Sequence, residues 1–532
     1  MNLSNINNNP TASDWSRFCD LLWFDDVLGF WIDISKMNIT TQDINNLKPH
    51  FEKAFKAMDQ LEGGSIANKD EGRQVGHYWL RNFDLAPSKE IALKLSAELA
   101  NIQKFADDIR NGSIKSSKNT NFRNILWIGI GGSSLGPILL VNALKSNTNH
   151  LNFYFLDNVD PGGISETLDL LDKELDETLV VVVSKSGGTL EPKICMEQAR
   201  YRIESNGGVW NKQAIAITMN KSKLDLQADR EEWLCRFDLP DWVGGRTSIT
   251  SAVGLLPAAF IQADLLKFLE GASVMDRSTR EKKVTNNPAA LLAASWFISG
   301  SSKGKKDMVI LPYKDRLDVL SKYLQQLVME SLGKKYNRCG EVVCQGLSVY
   351  GNKGSTDQHA YIQQLRDGLD NFFAVFVEVI KDQSDRLKVD QMNPASYLSG
   401  FLQGTRKALT QANKESITIS ITELNPFTLG ALIALFERTV GLYAELIDIN
   451  AYDQPGVEAG KIAAAEVIKI EKVIQDKLST GKICSIQELN NHFLTEECET
   501  IFWIVRTMYV NNSINIIEGD WSNPVSLKFK YK

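Results

Sequence analysis

Short apolar runs alternate with segments of helical periodicity through the middle of this chain. Residues 125–130, 152–156, 179–184 and 214–219 each read as a strand, and helix-patterned stretches separate them. Strands of this kind, apolar at consecutive positions rather than at alternate ones, are buried on both faces. Their alternation with helices implies right-handed βαβ crossovers in a doubly wound parallel sheet. The pattern resumes at 308–311, 373–380 and 417–422, with helices expected at 318–332 and 429–446. Up to about residue 120 strand-like runs are lacking, while 51–61 and 89–109 repeat with helical spacing. The expected fold class is α/β, with a helical N-terminal region (1–120) and two doubly wound domains (121–280 and 281–450). C-terminal helices and a basic, irregular tail follow (451–532), and the charged stretch 275–287 is the best candidate linker.

Two strand-to-helix turns carry candidate chemistry. The first is Asn124-Ile-Leu-Trp-Ile-Gly-Ile-Gly-Gly-Ser-Ser-Leu-Gly-Pro137, with Pro137 expected in the first turn of a helix over 135–144. Its glycines permit a sharp turn, and the N–H groups at a helix start favour an anion. A dinucleotide fingerprint would need glycine where Ser134 stands. A nucleotide P-loop would need Lys-Ser/Thr after Gly136, where Pro137 and Ile138 follow instead. The plainer alternative is a tight turn with capping serines. The second turn, Ser184-Lys185-Ser186-Gly187-Gly188-Thr189, adds three hydroxyls and a lysine point charge, a donor set suited to a phosphate dianion. Two such turns at strand C-termini place a ligand at the open end of one sheet.

Composition narrows the class. The chain has 532 residues, 43% hydrophobic and 23% charged, with a net charge of −6, so bulk attraction to nucleic acid or anionic membrane is not expected. The asparagine-rich start, residues 1–10, does not read as a secretory signal. No uninterrupted apolar run approaches 18 residues, so no membrane span is expected. The seven cysteines are odd in number and scattered, which reads as reduced thiols in a cytoplasmic protein rather than a zinc site.

Four further segments hold titratable groups. Val243-Gly-Gly-Arg-Thr-Ser248 aims Arg246 from a glycine pair. Gln326-Leu-Val-Met-Glu-Ser-Leu-Gly-Lys334 sets Glu330 among apolar neighbours, where a carboxylate suits general-base work. Gly354-Ser-Thr-Asp-Gln-His-Ala360 puts His359 on a polar loop, and Asp453-Gln-Pro-Gly-Val-Glu-Ala-Gly-Lys461 opens a helix-forming run. Singly, each has a bland reading as ion-pair donor, solvated residue, cap or surface charge.

Together with Glu71-Gly-Arg-Gln-Val-Gly-His77 and the two glycine turns, these segments resemble, in order, the glucose-6-phosphate isomerase (phosphoglucose isomerase) family of the sugar-isomerase fold. The resemblance implies an aldose–ketose isomerase acting by ring opening and proton transfer through a cis-enediol, with no metal or other cofactor. It assigns the sugar phosphate to Ser133, Ser184, Lys185, Ser186 and Thr189, and ring opening to His359 with Lys461. Glu330 becomes the base and Arg246 the stabiliser of the enediolate, with Gln326 and Gln454 lining the site. It also implies a homodimer with shared active sites and a small-molecule sugar phosphate as the partner. Thr247, Leu332 and Ser355-Thr356-Asp357 depart from the usual motif residues. Two alternatives remain at this point: a relative that also accepts mannose 6-phosphate, and a non-catalytic sugar-phosphate sensor.

Overall fold

The computed structural model describes residues 12–146, 151–381 and 392–532, so the reading of residues 1–10 lies outside it. The chain forms two compact units, Met1–Asp453 and Gln454–Lys532.

Among the described residues, the first unit holds two large sheets and a short antiparallel ribbon of Lys334–Tyr336 with Val342–Gln345. One has five parallel strands in the order Asn152–Leu156, Asn124–Ile128, Thr178–Val183, Ala214–Thr218 and Cys235–Asp238. Every residue of its three inner strands is buried, in keeping with apolar runs that only Asn124, Thr178 and Thr218 interrupt, at strand ends. The fifth strand, Cys-Arg-Phe-Asp, has one buried residue and no apolar run, and is an addition to the sequence reading.

The second sheet contains the expected parallel strands Asp307–Tyr313, Phe372–Val379 and Glu415–Ile421, with Val349–Tyr350 on one edge. Its other edge corrects the expectation of a wholly helical N-terminal region and a wholly parallel sheet. Leu22–Asp25 and Phe30–Lys36 form an antiparallel hairpin there, the latter strand pairing antiparallel with Glu415–Ile421. Asp33 interrupts the apolar run and hides this strand from a periodicity search. Its carboxylate is buried, accepting from the Ser35 amide at 2.7 Å and pairing with Arg406.

The charged stretch 275–287 is not a linker. It begins inside helix Leu265–Ser278, where Asp276 is buried and pairs with Arg81 at 2.9 Å and Arg438 at 3.6 Å. Its partner Arg438 sits on Pro426–Leu446, a helix long and apolar enough to cross a membrane by length and composition. In this structure it is a buried core helix.

The second unit corrects the expectation of an irregular tail. After helix Pro455–Ser479, the segments Cys484–Ser485, Lys528–Tyr531 and Ile514–Glu518 form an antiparallel sheet with Lys528–Tyr531 in the middle. Phe529 is buried between Lys528 and Lys530, the period-two alternation of a strand with one covered face.

Candidate active site

The first glycine turn is shaped by contacts from distant segments. Helix Gly132–Leu144 starts earlier than expected, so Pro137 falls in its interior rather than its first turn. The Ser133 carbonyl, which residue 137 would otherwise cap with its amide, accepts from the Trp127 indole at 2.8 Å instead. Gly131 has φ +58°, and a Cβ there would stand 2.9 Å from Gln326 Nε2. At Gly132 a Cβ would collide with the Gly245 carbonyl. The turn is thus in direct contact with both the Gln326 side chain and the backbone that precedes Arg246. Ser133 is half-buried, whereas Ser134 turns its hydroxyl back to the Gly131 carbonyl at 3.2 Å.

In the second turn the Ser184 hydroxyl is buried with no hydrogen-bond partner among the described residues. Ser186 is exposed and accepts from the Gly188 amide at 3.2 Å. Thr189 precedes helix Leu190–Ser205 without spending its side chain on a cap, leaving that hydroxyl and the first helical amides available. Lys185 is not the free point charge expected of it. Its ammonium donates to the Asp241 carbonyl at 2.6 Å and the Val243 carbonyl at 2.7 Å. Burial, with the nearby Arg73 cation, lowers its pKa to about 8.

Those carbonyls lead into Gly244-Gly245-Arg246. The Arg246 guanidinium is buried and held by three hydrogen bonds. Nη1 donates to Ser331 Oγ at 3.1 Å and the Ala451 carbonyl at 2.9 Å, and Nη2 donates to the Asp453 carbonyl at 3.0 Å. Nε stands 3.9 Å from Glu330 Oε1. Burial depresses the arginine's pKa, and the Glu330 and Asp453 carboxylates oppose that effect.

The helix expected over 318–332 is composite. A short 3₁₀ turn, Asp315–Leu317, and an α-helical turn, Leu320–Leu324, lead into a π-helical turn over Gln325–Glu330. Widened turns of this sort recur at functional sites because they re-aim side chains. Here Gln326 reaches Gly131 while Glu330 faces Arg246. Lys334, a residue sequence reasoning passed over, is buried just beyond. It donates to the Glu330 and Asp453 carbonyls, each at 3.0 Å, and pairs with Asp453 Oδ1 at 3.3 Å. Its signal in the sequence is its i+4 spacing from Glu330 at a helix end, where a cation can meet a carbonyl left unpaired.

His359 is not among the side chains gathered around Arg246 and Glu330. It is exposed, on a short turn over Asp357–His359. That turn is pinned by buried Asp357, which accepts from the Asn352 and Lys353 amides at 2.9 and 3.0 Å and from the Tyr361 hydroxyl. Gln454 and Lys461 belong to the C-terminal unit. Gln454 is exposed just before helix Pro455–Ser479, and Lys461 is exposed on that helix, 3.4 Å from Glu458. A cavity beside Arg246 is lined by Arg73, His77, Lys185, Ser331 and Tyr452 among others. His77 is fully buried there, and burial and the Arg81 and Arg438 cations hold its pKa well below the ordinary histidine value.

Residues 33–410 and 404–485 match the profile of the phosphoglucose isomerase family. The chain belongs to the phosphoglucose isomerase family. It is 55% identical over 530 residues to a glucose-6-phosphate isomerase of Prochlorococcus marinus, covering 100% of this chain and 99% of that one. A glucose-6-phosphate isomerase of Synechococcus sp. is 55% identical over 523 residues, covering 98% of each chain. The crystal structure of a glucose-6-phosphate isomerase from Chlamydia trachomatis superposes with a TM-score of 0.80 at 25% identity, covering 93% of this chain and 94% of that one.

Proposed function

We propose that Glu330 is the base that moves a proton between C2 and C1 of an open-chain hexose 6-phosphate, and that Arg246 is the fixed cation beside the developing oxyanion. The chain interconverts D-glucose 6-phosphate and D-fructose 6-phosphate, the reaction of the family to which it belongs. In the proposed step Glu330 takes the C2 proton of the aldose. The C–H electron pair becomes the C1=C2 bond, and the carbonyl π pair passes to O1. The O2 proton then passes to O1, moving the negative charge to O2. The O2 pair closes to the C2 carbonyl while the C1=C2 pair takes the proton back from Glu330 at C1.

The observation that carries this reading is the 3.9 Å approach of Arg246 Nε to Glu330 Oε1, reached in a buried setting where a preorganised cation acts strongly on developing charge. Support for the phosphate position comes from the unpartnered Ser184 hydroxyl, the uncapped helix after Thr189 and the half-buried Ser133. Ser186 and the Lys185 amine, which keeps one N–H beyond its two carbonyl bonds, complete that set. Gln326, lying over the first turn, is assigned to the sugar. Ring opening by His359 with Lys461, and a lining role for Gln454, rest on the family resemblance. A sensor needs the turns but not the Arg246–Glu330 pair.

A homodimer and a cytoplasmic location are part of the same proposal. An exposed histidine on a turn held rigid from beneath is suited to reach a neighbouring subunit. The unpaired cysteines are suited to a reducing compartment. The direct test is conversion of fructose 6-phosphate to glucose 6-phosphate by the purified, folded protein. Failure to convert overturns the reading.

A further inference from the structure

Arg246 and Lys334 share one acceptor. The carbonyl of Asp453 takes Nη2 of the arginine at 3.0 Å and Nζ of the lysine at 3.0 Å. The same ammonium holds the Glu330 carbonyl at 3.0 Å, four residues back, and the Asp453 carboxylate at 3.3 Å. One buried cation therefore fastens the backbone that carries the base to the backbone that anchors the arginine. Ser331, next to Glu330, closes the circuit through its hydroxyl on Arg246 Nη1 at 3.1 Å.

The charges in this cluster balance. Arg246 and Lys334 are positive, and Glu330 and Asp453 are negative; Glu71 and Tyr452 act on Arg246 from further out. When Glu330 accepts the substrate proton it becomes neutral, and one negative charge moves to the enediolate. The total charge of cluster and substrate is therefore unchanged throughout the step. Burying a cation costs several kcal/mol unless it is paired and hydrogen-bonded, so a lysine kept here is compensated by contacts on both sides.

We infer that Lys334 is a positioning residue for the isomerisation: it sets the spacing of Glu330 and Arg246 through the two carbonyls it holds and, with Asp453, sets the charge that the base experiences. This rests on Glu330 being the base and Arg246 the cation beside the developing oxyanion. Burial and the neighbouring arginine push the lysine's own pKa down, while Asp453 and Glu330 push it up, so the pair with Asp453 helps to keep it charged.

The test is the pH dependence of kcat/KM in variants of the full chain. Lys334→Met keeps the aliphatic stem and removes the charge. A misplacement of the pair on the ångström scale is expected to lower kcat about ten- to a hundredfold, with KM changed by less than about threefold. The acid limb of kcat/KM is expected to move to higher pH, because the cluster now carries an extra negative charge. Asp453→Asn is expected to move that limb the other way, and the double variant to bring it back toward its original position while kcat stays low. Where the methionine variant yields no folded protein, Lys334→Arg and Asp453→Asn carry the test: the arginine should keep the limb in place and still lower kcat. An unchanged kcat in Lys334→Met overturns the inference. So does a lowered kcat with an acid limb unmoved in both Lys334→Met and Asp453→Asn, which would make the lysine merely structural. Full activity in Glu330→Gln would instead overturn the assignment of the base, a separate failure.

Discussion

Trp127 donates its indole N–H to the carbonyl of Ser133, replacing the amide that Pro137 cannot supply. The tryptophan is fully buried at the end of a central strand, and the serine belongs to the first glycine turn. Strand and turn are therefore locked by one side-chain bond across the helix start.

Trp127→Phe should leave that carbonyl unsatisfied and lower stability by about 1–3 kcal/mol, measured by urea unfolding. Adding Pro137→Ala restores a backbone amide four residues along the helix and should recover most of the lost hydrogen bond. Wild-type stability in Trp127→Phe would show that the indole bond carries nothing.

Glu330→Gln should nearly abolish uptake of solvent deuterium at C2 of glucose 6-phosphate, since an amide cannot accept the proton at neutral pH. Binding of a sugar phosphate should survive, because both glycine turns are untouched. Near-normal exchange would remove Glu330 from the role of base.

Lys185 gives a pH signature. Its pKa is lowered to about 8, so the protonated, charge-donating form is present below that pH and lost above it. Since kcat/KM reports the free enzyme, it should fall on the alkaline side near pH 8 for phosphorylated substrate. In Lys185→Met that limb should disappear, with KM raised throughout. Because the ammonium also holds the Asp241 and Val243 carbonyls ahead of Arg246, kcat should drop as well. For folding the sign is the reverse of a stabilising ion pair. The unfolded chain binds the proton more tightly, so this group's contribution to stability rises with pH between the two pKa values.

The shared-site dimer can be tested by complementation. His359→Ala and Glu330→Gln homodimers should each be nearly inactive. With random reassortment half the dimers are mixed, and each regenerates one site, so activity should return to roughly a quarter of wild type. No recovery after exchange verified with tagged chains would place both groups in one subunit's site.

The strands of the five-stranded sheet were legible where both faces are buried, because residues 124–128 and 178–183 are apolar with little interruption. The motif residues Arg246, Glu330 and Gln326 were legible from order and spacing, and two of them meet at 3.9 Å. What escaped was polarity compensated in three dimensions. Asp33 breaks an apolar run, and Asp276 makes a core helix resemble a linker; both are satisfied by arginines distant in the chain. Lys334 and Asp453 escaped for the same reason, since their meaning lies in carbonyls brought together only by the fold. Phe529 sits alone between lysines, and a single apolar residue is too short a pattern to announce a strand.

The hairpin strand Phe30–Lys36 also sets a timetable for synthesis. Its neighbour is Glu415–Ile421, and the Asn38 amide meets the Glu415 carboxylate across 377 residues of sequence. At translation rates of about 5–20 residues per second, the strand emerges roughly 20–75 seconds before its neighbour. During that interval it presents an open β-edge bearing Phe30, Ile32 and Ile34 to every other nascent chain nearby. A charge in mid-strand is an established deterrent to edge-to-edge pairing. Asp33, later neutralised by Arg406 from the same unit, guards the edge while it waits.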